Sequence, residues 1–407
     1  MSKISNRKWL TCTPKRFIGT KRFFARDSGL LSEGFKMAGI PSQAIMLGPP
    51  MDDDDDRILR VDAESLEKKE FWESFDAEGV VLYAWALPQY TPIVQAIKDA
   101  GLLLVINLDS GGLLSPRVHQ KDYTKLVFQK YRMEVGGLTG KIKAIASLAK
   151  AMVPSLMDKP RLTHMAYADL IGAVSPIARD RVRDYARYYG REEVAKKVHL
   201  ILHPISHDMT YAGGEKKKQI CIVGRWTRDD WVKNPWLLIE TLGIVLSEHA
   251  AYDCMIIGAY DHLLTDLMKN LPNNVRARIH LCGLLPNAEA ARVLQGSQMA
   301  LCSSFSEGYH TSSAEALCSG CSVVGYESPY LPNLPYYASE QSGSIAEEGT
   351  AKAMSAAISL EIAAWNAGQR NPSRISELWS ERLHAENIPA RIFELLHQSN
   401  KLGNQDD

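Results

Sequence analysis

No run of about 18 apolar residues occurs in the chain, which excludes a transmembrane helix. The opening segment MSKISNRKWLTCTPKRF is charged and lacks the apolar centre of a signal peptide, so a cytoplasmic protein is expected. Net charge is missing as well. The 47 lysines and arginines equal the 47 aspartates and glutamates, so no global field draws the protein to nucleic acid, and local patches must carry any electrostatic function. Cysteine is sparse and odd in number. Cys12, Cys221, Cys254, Cys282, Cys302, Cys318 and Cys321 are scattered, most of them inside apolar runs, which suits reduced core thiols better than a disulfide framework. No G-x-G-x-x-G follows a strand and opens a helix, which argues against a nicotinamide dehydrogenase. Signals for a metal are weak. Asp52 to Asp56 lie between a Pro-Pro turn and a polar stretch, as a solvated loop does, and Cys318 with Cys321 makes a C-x-x-C without further clustered ligands. Neither a metal nor a cofactor is expected.

What is present describes an ordinary globular protein, 45% apolar and 23% charged, and a length of 407 residues favours two domains over one. Short β-branched runs recur at 79–86, 102–108, 170–175, 198–205, 219–224, 253–258, 278–283, 299–304 and 322–327. Helical-period segments such as TPIVQAIKDAG, NPWLLIETLGIVLSEH and AEAARVLQG separate most of them. This alternation predicts an α/β protein built of Rossmann-like domains with parallel sheets. Right-handed crossovers then gather the loops after the strands along one edge of each sheet, where ligands bind. The polar, lysine-rich segment SHDMTYAGGEKKKQ (206–219) is the best boundary. The expected domains are 1–210 and 211–385, with 386–407 a C-terminal helix and polar tail that is a candidate to cross back to the first domain.

The stretch SSFSEGYHTSSAEALCSGCSVVG (303–325) places Glu307 and Glu315 eight residues apart, between a strand end and a helix. Gly308 allows a tight turn, and a helix starting near Thr311 to Ser313 aims free backbone N–H groups at the same mouth, which suits a phosphate or a polar sugar. Gly308, Tyr309, His310 and Thr311 are therefore candidates to meet sugar and phosphate. Arg225 directly follows the strand QICIVG, and Lys233 lies eight residues on. Cations at such a strand exit are placed to neutralise a diphosphate, arginine as a planar fork and lysine as a point charge. A plainer reading has Glu315 favouring a helix dipole, Glu307 capping a loop and both cations solvated.

The ordered blocks VGRW…KNPWLLIETL and IHLCGLLPNAEAARVLQGSQMALCSSFSEGYHTSSAEALCSG resemble the donor-binding half of retaining nucleotide-sugar glycosyltransferases of the GT-B fold, notably family 4. Its E-x7-E motif falls on Glu307 and Glu315. ADLIGAVSPIARDRV (168–182) and HPISHDMTY (203–211) resemble the family's preceding strand, helix and interdomain segment, so the likeness is good over about residues 165 to 330. The resemblance implies two Rossmann-like domains facing across a cleft. It gives Glu307 contact with the donor sugar, Glu315 contact with the ribose with Leu284 also at the nucleotide, and Arg225 and Lys233 the leaving diphosphate. The family sets these cations about three residues closer together, so TRDDWV looks like an insertion and Arg228 is an alternative. A glycine-rich loop of the family would fall at Ser28 and Gly29. Its middle-strand histidine is replaced by VINLDSGG, where Asp109 is the candidate for donor sugar or acceptor; His119 and His164 read as ordinary histidines.

The expected activity is transfer of a hexosyl unit from a UDP- or GDP-sugar to a hydroxyl, with retention of configuration as the resemblance implies. The nucleotide-sugar is then a substrate, and the acceptor a carbohydrate, a lipid-linked or a small molecule. A nucleotide-sugar epimerase and a non-catalytic nucleotide- or sugar-binding scaffold remain as alternatives. Residues 138–157, LTGKIKAIASLAKAMVPSLM, form a basic amphipathic helix with two readings: peripheral contact with the inner membrane face, or packing by the alanine and isoleucine face.

Overall fold

The computed structural model describes residues 7–16, 24–52, 54–339 and 341–403. The chain divides into two compact units, Met1–Ser206 with His384–Asp407, and His207–Leu383.

Seven strands build the first unit: β1 (Lys8–Arg16), β2 (Ser42–Leu47), β3 (Ile58–Val61), β4 (Ala77–Tyr83), β5 (Leu103–Asn107), β6 (Leu170–Ala173) and β7 (Val198–Leu200). They pair in the order β3-β2-β1-β4-β5-β6-β7, all parallel. Leu10 lies opposite Val80, Val80 opposite Leu104, and Ile106 opposite Ile171, so the sheet centre is a row of fully buried aliphatic residues. Helices cover both faces, which is why these strands read as continuous apolar runs rather than as alternation. The helices of this unit include α1 (Asp27–Met37), α2 (Gln120–Glu134), α3 (Gly137–Ala151) and α4 (Pro176–Tyr188). The last of these starts where Ser175 accepts from the Ala178 N–H at 3.0 Å and Pro176 takes the first helical position. The C-terminal helix Ile388–Gly403 belongs to this unit. Its Ile388, Ile392, Leu395 and Leu396 share one core with Trp9, Phe35, Val81 and Tyr83.

The second unit holds β8 (Lys217–Val223), β9 (Asp253–Ile257), β10 (Ile279–Gly283), β11 (Ser297–Leu301), β12 (Ser322–Tyr326) and β13 (Gly343–Ala346), ordered β10-β9-β8-β11-β12-β13 and again all parallel. Two helices frame its functional edge, α5 (Pro235–Glu248) and α6 (Thr311–Cys318). Asn234 caps α5 from the left-handed region, φ +53°, its side chain accepting from the Leu237 N–H at 3.3 Å. In each sheet the strand order reverses once, between β1 and β4 and between β8 and β11. Neighbouring loops diverge at such a point and leave a crevice beyond the strand ends.

Two sequence readings change here. The aspartate run is not simply solvated: Asp54 binds Arg60 at 2.7 Å, with the arginine side chain almost fully buried, and Asp55 binds Arg57 at 2.6 Å. Asp53 lies outside the described residues. In residues 138–157 two of the alanines pack but the isoleucines do not: Ala144 and Ala151 are buried while Ile142 and Ile145 are exposed. Cys318 and Cys321 are buried thiols outside any disulfide, and Cys321 Sγ donates to the Leu294 carbonyl at 2.9 Å, a packing role.

Candidate active site

The crevice of the second unit opens between β8 and β11, and the loops after these two strands supply its residues. Beyond β8 the chain runs through Gly224, and the neighbouring Gly258 must lack a side chain to let it pass: a Cβ on Gly258 would sit 1.6 Å from the Gly224 carbonyl oxygen. Trp226 is then buried, its backbone N–H donating to the Ala259 carbonyl at 2.7 Å. A 3-10 segment, Arg228–Lys233, comes next. This is the TRDDWV stretch that departs from the family spacing, and it is a docked element rather than a free loop. Trp231 is buried with its ring 5.9 Å from that of Phe305, and the Phe305 N–H donates to the Val232 carbonyl at 2.7 Å. Ser303 Oγ donates to the Lys233 carbonyl at 2.9 Å. The loop after β8 is thus tied to the loop after β11, and the tie sets Lys233 opposite Glu307.

Their side chains form an ion pair, Lys233 Nζ to Glu307 Oε1 at 2.6 Å, with 22% and 16% of each side chain exposed. Burial would raise the Glu307 carboxyl, but the Lys233 ammonium outweighs it and the pKa is lowered. Glu307 is fixed from behind by its own N–H, which donates to the Tyr330 carbonyl at 2.9 Å. Arg225, by contrast, is 64% exposed and pairs with Asp230 at 3.0 Å. The alternative cation, Arg228, uses its backbone N–H to bond Asp261 Oδ2 at 2.8 Å.

After Glu307 come Gly308 and then Tyr309, whose ring turns inward against Tyr337. His310 is buried at the start of α6, its Nδ1 2.6 Å from Ser313 Oγ and its Nε2 3.3 Å from Ser312 Oγ. Burial holds its pKa down at about 4, so the ring is neutral at pH 7. Thr311 is the first residue of α6, and Glu315 is half-buried in its second turn. Leu284 follows the end of β10 and is 70% exposed. Lys233 and Glu307 are therefore in contact, Arg225 stands apart on Asp230, and the side chains of Tyr309 and His310 are committed to packing and local hydrogen bonds.

In the first unit the equivalent crevice lies beyond β1 and β4. Ser28 and Gly29 are buried in the first turn of α1, not in a loop: Ser28 Oγ lies 2.5 Å from Thr13 Oγ1 and the Ser28 carbonyl accepts from Thr11 Oγ1 at 2.7 Å, which fastens α1 to β1. Asp109 sits just past β5 in a left-handed conformation, φ +39°. It accepts from Trp85 Nε1 at 3.1 Å and faces His203 Nε2 at 3.4 Å, while burial raises its carboxyl. Trp85 also has positive φ, +50°. His203 and Trp85 escaped the sequence reading; a histidine closing the run 198–205 was the available signal. His119 and His164 lie away from this group. The first stands at the start of α2 and the second is buried in helix Asp158–Ala166, at about 4 because of that burial.

Residues 217–362 match the family model described as glycosyl transferases group 1. No curated protein matches the chain significantly in sequence. Among solved structures, HepE of Anabaena in complex with UDP and glucose is similar with a TM-score of 0.60 at 13% identity, covering 96% of this chain and 100% of that one. A glycosyltransferase from Rickettsia africae gives 0.63 at 11% identity, covering 98% and 100%. The lipopolysaccharide outer core galactosyltransferase WaaB gives 0.59 at 13%, covering 97% and 99%. Residues 217–362 are thus a group 1 glycosyl transferase domain, carried on the fold of two Rossmann-like units known as GT-B, and the chain is a glycosyltransferase.

Proposed function

We propose that the chain transfers a hexosyl unit from a UDP- or GDP-sugar to an acceptor hydroxyl with retention of configuration, in the manner of family 4. The observation that carries this reading is the Lys233–Glu307 pair at the crevice between β8 and β11, one turn of chain before α6. A nucleotide-sugar needs positive charge for the diphosphate and a carboxylate near the sugar, and both are held there within a group 1 domain. HepE, which shares the fold, holds UDP and glucose, in keeping with such a donor.

In this reading Lys233 turns from Glu307 to the diphosphate when donor enters, Arg225 leaves Asp230 to join it, and the N–H groups opening α6 face the phosphates. The freed Glu307 carboxylate meets the sugar, where positive charge grows as the glycosidic bond to phosphate lengthens. Glu315 holds the ribose diol, with Leu284 beside the nucleotide. The departing phosphate oxygen takes the acceptor proton on the same face of the sugar, which accounts for retention. Charge stabilisation at the diphosphate falls to Arg225 and Lys233, so activity is expected to survive EDTA; complete loss restored by magnesium would reverse that assignment. The acceptor is a carbohydrate, a lipid-linked or a small molecule, and Asp109 of the first unit is our candidate to meet it or the donor sugar.

The test is to incubate the pure protein with UDP- and GDP-sugar panels, with and without mixed acceptors, and to follow free nucleotide. Release that requires acceptor supports transfer. Sugar isomerised without transfer product indicates an epimerase, and binding without turnover a scaffold.

A further inference from the structure

Helices α2 and α3 form a hairpin on the first unit, joined through Gly136 and Gly137, both at positive φ, +72° and +53°. The hairpin closes on small residues. A Cβ added to Gly140 would lie 2.5 Å from the Tyr131 carbonyl oxygen, and Ala144 and Ala151, four and eleven residues on, are buried on the same side. Leu148, four residues after Ala144, is half-buried on that side, while the other large aliphatic residues of α3 point the other way. Leu138, Ile142 and Ile145 are 73%, 58% and 59% exposed, and Met152, Val153 and Leu156 extend the face beyond the helix end. Spacings of four, three and seven residues put Leu138, Ile142, Ile145 and Met152 on one stripe. An ordinary surface helix buries its large aliphatic residues and exposes its small or polar ones. Here three of the four large aliphatic residues, Leu138, Ile142 and Ile145, are exposed instead.

Charge flanks this stripe. At about 100° per residue, Lys141 and Lys143 fall on opposite sides of Ile142, and Lys150 falls on the Lys143 side. All three are exposed. From Arg117 to Met157 there are six lysines and two arginines against Asp122 and Glu134 alone, a net +6 within a chain whose total is +0. The six lysines are all exposed. Long basic side chains on both edges of an apolar stripe let the stripe enter the acyl boundary while the ammonium groups reach back to anionic headgroups.

We infer that this face of the hairpin docks the protein, in the plane of the interface, on a bilayer containing anionic phospholipid. The occupant is a lipid surface rather than a groove-bound peptide or a second copy of the chain. A like copy would bring the same +6 segment against itself, whereas an anionic surface complements it. The inference stands independently of the donor and of the reaction.

The experiment is cosedimentation of the full chain with vesicles of phosphatidylcholine alone and of phosphatidylcholine with phosphatidylglycerol. Binding is expected to the mixed vesicles, to fall with added salt, and to be weak on phosphatidylcholine alone. Replacing Lys141, Lys143 and Lys150 by Gln should lower vesicle affinity on the order of a hundredfold. The pair Ile142→Asn and Ile145→Asn should abolish binding while circular dichroism and affinity for free nucleotide stay unchanged, since neither side chain is part of a buried core. Equal binding to both vesicles, or binding that survives the isoleucine variants, overturns the inference. So does a wild-type dimer in light scattering that becomes monomeric in those variants.

Discussion

At the residue scale, the pair Lys233–Glu307 is a coupled unit, because each neutralises a charge that its setting leaves little water to solvate. A double-mutant cycle on Lys233→Ala and Glu307→Gln should give a coupling of about 1 to 3 kcal/mol in urea unfolding; additive effects would mean that the contact contributes nothing. The two glutamates should separate by assay. Glu315→Ala weakens free UDP or GDP by about 1.5 to 3 kcal/mol in calorimetry, while Glu307→Gln leaves that affinity and lowers kcat. Normal nucleotide binding and turnover in both variants would remove them from the site. Buried histidines add a pH dependence. Burial brings His310 and His164 down to about 4 against an unfolded value near 6.5, so the unfolded chain binds more protons between those values. Their contribution is full above pH 6.5 and is lost as pH falls towards 4. His310→Gln should therefore remove roughly 2 kcal/mol of the stability lost between pH 7 and pH 5. An unchanged slope in urea titrations at the two pH values would show that His310 is not held neutral.

At the element scale, the 3-10 segment Arg228–Lys233 decides where the second cation stands. Trp231 against Phe305 is its anchor. Trp231→Ala should cost about 3 kcal/mol of stability and, by letting Lys233 drift from the crevice, weaken free-nucleotide affinity as well. A stability loss with normal affinity would mean that Lys233 is positioned by other contacts. The same segment marks how legible the elements were. Each apolar run read from the sequence is a strand, because a parallel strand buried on both faces must be apolar throughout. The strands outside those runs are β1, β2, β3 and β13. Of these β3 and β13 are four-residue edge strands containing Arg60 and two small residues, Gly343 and Ser344, respectively, and an edge is only half-buried, so composition marks it weakly. The start of α6 near Thr311 was legible because a glycine turn and three hydroxyl residues precede an apolar helix face. TRDDWV read as an insertion, since nothing local shows that Trp231 meets a ring 74 residues later.

At the scale of the whole molecule, the last helix completes the first unit's core although it follows the second unit in sequence. Ile392→Ala should cost about 2 to 5 kcal/mol, as for a fully buried aliphatic residue. Hydrogen exchange should show faster opening of β1 and α1, whose Trp9 and Phe35 share that core, and an effect confined to β8–β13 would contradict the assignment. What the sequence determined by itself is the α/β class, because hydrophobic period and β-branched composition are local properties imposed by burial on two faces. It also showed the ordered blocks that resemble a glycosyltransferase domain, which the match over residues 217–362 supports. Only the tertiary structure decided strand order, and with it the reversal between β8 and β11 that sets Lys233 beside Glu307. It alone decided that Asp109 faces His203 across 94 residues, and that Ala144 and Ala151 of α3 turn inward while its isoleucines turn out. Contacts between distant segments depend on which loops close on one another. Local composition does not encode that closure.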